Sequence, residues 1–132
     1  MAEDMERAVE VYALVNFLVI GLSHLLRPRA WVAFFVLLRE RGEAGVFASA
    51  FISLAFGSIV VAFHNVWTGL PLVLTLLGWA QVVKALVYFV FPGFGLRRLQ
   101  IPSPERAHVF VVPGVLFLIL AAVLGYHLWA TT

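Results

Sequence analysis

Four long apolar runs, interrupted by one charge, set the terms on which this chain folds. They cover residues 11–26, 44–64, 70–91 and 107–132, and Lys84 is the only charged residue inside any of them. A helix needs about 20 residues to cross a hydrocarbon layer about 30 Å thick, so the last three runs are comfortable spans. The first is shorter and draws on Val9 and Glu10, or on a thinner local bilayer. Unpaired backbone groups in lipid cost several kcal/mol each, and runs this continuous exclude barrel strands. The expected fold is an all-α, polytopic membrane protein with spans at about 9–26, 44–64, 70–91 and 107–130.

Composition closes off the other classes. The chain is 63% hydrophobic and 12% charged, against roughly 45–50% and 25% in an average soluble domain. So few charges cannot cover a soluble surface of this size. With no cysteine there are no disulfides, thiolate ligands or thiol nucleophiles. The net charge of +2 does not imply nucleic acid, because the arginines sit in two loops beside apolar segments. The acidic start of the chain lacks the positive character of a secretory signal, so the first span reads as retained in a single domain over 1–132.

The loops give orientation. Residues 28–41 carry a short apolar core between arginines and read as a helix lying in the interface. Residues 65–69 form a tight hairpin before Pro71, Pro92-Gly93 stops the third span, and Ser103-Pro104-Glu105 starts a fourth helix expected to kink at Pro113. Arg27, Arg29, Arg39, Arg41, Arg97, Arg98 and Arg106 fall on one side and only Arg7 on the other. The positive-inside rule then puts both termini outside.

Two internal regularities stand out. Val46-Phe47 precedes His64 as Val109-Phe110 precedes His127, and Pro28 matches Pro92. This pattern suggests repeated hairpins over 9–64 and 70–130, related by an axis along the membrane normal. Gly45, Ser49, Ser53 and Gly57 recur every four residues, a spacing of small residues that lets helices pack closely, within the chain or in a homo-oligomer.

Few residues offer chemistry. Lys84, Gln81 and Tyr88 share a helix face, and Asn16, Ser49 and Ser53 are candidates to meet it as a ligand site or solute path. The alternative is a snorkelling lysine with polar groups bridging helices. No aspartate or glutamate lies within any of these apolar runs, which argues against a proton- or sodium-coupled carrier. His64 and His127 are candidates for haem or metal ligation. Their place in a last helical turn is explained equally by the helix dipole and an aromatic interface, without a carboxylate to orient them. His24 and His108 near Ser23 and Arg106 form no recognisable triad. No enzyme, cofactor or metal is expected.

The stretch Phe63-His64-Asn65-Val66-Trp67, then Thr75-Leu76-Leu77-Gly78-Trp79, Lys84 and Pro92, resembles a Phe-His-Asn-x-Trp, Thr-Leu-x-Gly-Trp, Lys, Pro pattern of small bacterial four-helix membrane proteins. The resemblance implies a bacterial inner-membrane setting and no particular activity. The sequence thus points to a non-enzymatic structural or accessory membrane protein, partnered by the bilayer and by itself or a membrane complex. The alternatives are a passive channel for a small, anionic solute around Lys84, and a haem or pigment binder through His64 and His127.

Overall fold

Backbone amides have no partners in lipid outside their own helix, and every apolar run is helical. The computed structural model describes residues 1–132, in the order α1 (Ala2–Leu26), α2 (Pro28–Glu40), α3 (Glu43–Phe63), α4 (Leu72–Val90), α5 (Pro92–Leu99), a 3₁₀ segment (Pro104–Phe110) and α6 (Val111–Ala130). Four helical stretches, α1, α3, α4 and the 3₁₀ segment with α6, are long and apolar enough to cross a membrane. The protein is an all-α, multi-pass membrane protein, and α2 is the short amphipathic helix expected between the first two spans.

Three boundaries differ from the sequence reading. Helix α1 begins at Ala2, because Glu3 and Asp4 occupy its first turn, where the dipole favours negative charge. Glu10 therefore lies about 12 Å inside α1, at 1.5 Å per residue, rather than at its edge. Pro92 ends α4 as expected but also opens α5 from the first helical turn, where a missing N–H costs nothing. The fourth span bends ahead of Pro113: Arg106 has non-helical backbone angles, and α6 starts at Val111. Pro113 falls in the first turn of α6, where it is tolerated without a kink.

The spans pack as two pairs, α1 with α6 and α3 with α4, which touch each other much less. Glycine makes each pair close. A Cβ added at Gly114 would lie 3.0 Å from the Gly21 carbonyl, and one added at Gly57 would lie 2.8 Å from the Gly78 carbonyl. Gly45, Ser49, Ser53 and Gly57 are all buried within the chain. A Cβ on Gly45 would overlap the Leu38 carbonyl of α2, whereas Gly57 abuts α4. The small-residue stripe is therefore used between helices of one molecule.

Burial coincides at some positions 64 residues apart, among them Gly21 and Ala85, His24 and Tyr88, Ala50 and Gly114, Gly57 and Ala121, Val60 and Leu124. It does not at others: Val9 and Gly45 are buried where Val73 and Val109 are exposed. Arg27 and Phe91, which precede the two prolines that open α2 and α5, share nearly the same backbone angles (φ −135°, ψ 53° and φ −124°, ψ 67°). The main pairings, α1 with α6 and α3 with α4, run between the two expected hairpins rather than within them.

Close packing in the second pair predicts that Gly78→Ala destabilises the fold by about 1–3 kcal/mol, the usual range for overpacking. The added methyl would come within 2.6 Å of the Val60 Cβ, which is fixed to its helix. Gly93→Ala in α5 meets nothing within 4 Å and should be neutral or slightly stabilising. Denaturant unfolding in mixed micelles measures both; equal midpoints for the two variants would contradict the packing.

Candidate functional site

The bundle has one end that carries both chain termini and another that carries most of the arginines. At the terminal end, α1 presents Glu10 toward the last residue of the α3 segment, His64, and toward Thr75 of α4. Glu10 is 2% exposed, and His64 and Thr75 are fully buried. Burying a carboxyl here requires partners. The Thr75 hydroxyl donates to the Val66 carbonyl at 2.7 Å, so its oxygen is left to accept from His64 Nδ1–H at 3.0 Å. His64 Nε2 lies 2.8 Å from Glu10 Oε2. With Nδ1 already protonated, a single proton is shared across the Nε2–Oε2 contact, and the pair is neutral overall whichever atom holds it.

Glu10 Oε1 is buried without a hydrogen-bond partner. Its nearest cationic candidate is His127 Nε2 of α6, at 3.5 Å. Glu10 and His127 face an open cleft of about 440 Å³, whose walls also include Glu6, Arg7, Leu70 and Pro71. Arg7 is tied to the end of α6, donating to Thr131 Oγ1 at 2.7 Å and the Leu128 carbonyl at 3.1 Å.

A second cavity, of about 380 Å³, lies between the two helix pairs. Tyr12, Phe17, Phe56 and Phe117 line it with three polar side chains, Asn16, Ser53 and Gln81. It opens sideways past Ile52, which is 60% exposed. Phe17, Leu74 and Leu124 belong to one apolar core cluster, and Phe17 is also part of the cavity wall.

The structure thus divides the residues singled out from sequence. Asn16, Ser53 and Gln81 meet at one cavity. Lys84 is half-buried away from its walls, with Nζ 5.4 Å from the centre of the Tyr88 ring. Ser49 is buried in α3 beside neither. His64 is buried inside the protein at the end of α3, and a carboxylate does orient it; α1 does contain a buried acid. Glu10 escaped notice because it precedes the uncharged run. Glu10, His64 and His127 meet, but no set of three His, Asp or Glu side chains is arranged to hold a metal ion. Ser23 Oγ accepts from Trp31 Nε1 at 2.9 Å, and His24 Nδ1–H donates to the Ile20 carbonyl at 3.0 Å, so this sequence neighbour pair makes no nucleophile–base contact. No protein-family model, curated protein or solved structure matches the chain.

Positions 64 residues beyond Glu10 and His64 are Leu74 and Leu128, both buried. The same layer in the other half is filled by leucine, so packing alone does not call for a carboxyl and an imidazole. Thr75→Val, nearly isosteric, should cost about 1–3 kcal/mol by leaving His64 Nδ1–H and the Val66 carbonyl unpaired. Thr75→Ser should retain most of that stability. Thermal unfolding in detergent distinguishes them, and a Thr75→Val protein as stable as the parent would contradict the hydrogen-bond assignment.

Proposed function

We propose that this is a non-enzymatic accessory protein of the bacterial inner membrane that holds an amphipathic, lipid-like molecule between its two helix pairs. The cavity at Asn16, Ser53 and Gln81 carries this reading. Its volume of about 380 Å³ is within the range of about 300–1,000 Å³ for small-molecule sites. Its walls are mostly apolar, with a few polar atoms to fix a head or carbonyl group, and its side opening faces where acyl chains would lie. An aqueous pore would need polar groups in series along the bundle, whereas the core cluster that includes Phe17, Leu74 and Leu124 is apolar throughout. The seven-to-one arginine asymmetry supports an orientation with both termini outside and α2 and α5 at the cytoplasmic interface. The small-residue stripe is satisfied within one chain, so the reading requires no second copy.

Native mass spectrometry of protein released from mild detergent tests the proposal. The parent should retain an adduct of lipid-like mass, and Ser53→Leu, which projects four carbons into the cavity, should reduce its occupancy by about tenfold or more while the helical content is unchanged. A bare parent mass, or an adduct indifferent to Ser53→Leu, would overturn it.

A further inference from the structure

The cleft at the terminal end has no part in the lipid-like site, and it contains the one buried polar atom that lacks a partner. We infer that this cleft binds a primary ammonium group, on a phospholipid headgroup or on a free amine, with Glu10 Oε1 as its acceptor.

The argument begins with the orientation of Glu10. One carboxyl oxygen, Oε2, is engaged by His64, which is fully buried and is not part of the cleft wall. The other, Oε1, turns toward His127, which is part of that wall, and has no hydrogen bond. The shared-proton pair leaves Oε1 an acceptor in either arrangement, because the proton lies on the Oε2 side. An unmet acceptor in a buried carboxyl carries an uncompensated desolvation penalty, larger when charged, until a donor reaches it. The site therefore favours a ligand that brings N–H groups.

Charge and size narrow the class. Glu3 and Glu6 stand at the rim, while the one guanidinium, Arg7, is held by the α6 terminus. Carboxylates at the mouth attract a cation toward the acceptor at the floor. A space of about 440 Å³ is far larger than a bare ion needs, and the side chains do not converge for a metal. Leu70 and Pro71 give an apolar wall against which a methylene stem can lie. An alkylammonium meets all these conditions; a quaternary ammonium has the charge but no N–H for Oε1. Arg7 at the same cleft would suit the phosphate of an ethanolamine headgroup.

The test uses the full chain. Isothermal titration in detergent compares ethanolamine with choline at matched ionic strength, and native mass spectrometry from nanodiscs of mixed phosphatidylethanolamine and phosphatidylcholine compares the lipids. Ethanolamine should bind about tenfold or more tightly than choline, as expected for a charge-assisted hydrogen bond. Glu10→Gln should remove most of that preference. Glu6→Gln, which leaves the buried pair intact, should weaken ethanolamine about threefold and keeps the test valid if the first variant does not fold. Selective retention of phosphatidylethanolamine identifies a headgroup site; ethanolamine selectivity without lipid selectivity identifies a free-amine site. Equal binding of ethanolamine and choline overturns the inference, as does binding unchanged in Glu10→Gln, or in Glu6→Gln where Glu10→Gln does not fold.

Discussion

The contact between Glu10 and His64 joins the two helix pairs of the bundle. In a bilayer, lipid tails are as apolar as leucine, so helices gain little from burying apolar surface against one another. Within each pair, close backbone approach at Gly21 and Gly114, and at Gly57 and Gly78, supplies many dispersion contacts. Between the pairs there is a cavity instead, and the joint is made by specific contacts. Glu10 of α1 reaches His64 and, through it, Thr75 of α4. At mid-depth Phe56 of α3 packs on Tyr12 and Phe17 of α1, with ring centres 5.9 and 5.7 Å apart. Toward the arginine end, α2 packs on the 3₁₀ segment and on α3. The cavity persists because the pairs are tied around it rather than zipped along their length.

This arrangement explains how one small fold carries two kinds of site. The lateral cavity is mostly apolar with three polar side chains suited to orient a ligand, and the end cleft is polar with an acidic rim. The two share no lining residue. The partial repetition of burial between the halves sharpens the contrast. Where one half has Glu10 and His64, the other has Leu74 and Leu128.

Much of the fold was legible in the sequence because membrane spans are written in long, nearly unbroken apolar runs. The spans and the short amphipathic helix after Pro28 follow from run length and arginine placement, and side-chain size marks the Gly45–Gly57 stripe as a packing surface without saying which helix covers it. Periodicity grouped Gln81 with Lys84 and Tyr88, whereas the cavity brings Gln81 together with Asn16 and Ser53. Glu10 did not, because a charge beside an apolar run ordinarily marks its edge; only the extension of α1 to Ala2 brings it inside. His64 was misplaced for a related reason, since a last-turn histidine is buried only if a partner waits for it, and that partner is on a distant helix. The bend before α6 depends on tertiary contacts of the 3₁₀ segment with α2, which no local pattern encodes.

A double-mutant cycle on Glu10 and His64 tests the central claim most directly. Glu10→Leu alone leaves His64 buried and unpaired, and His64→Leu alone leaves Glu10 so; each should lose about 3–5 kcal/mol of stability. The double variant reproduces the leucine layer of the other half, and it should recover at least about 2 kcal/mol of the summed loss in denaturant unfolding from mixed micelles. Strictly additive losses would contradict the account, because they would mean that Glu10 and His64 stabilise the bundle independently and that nothing ties the two pairs together at this end.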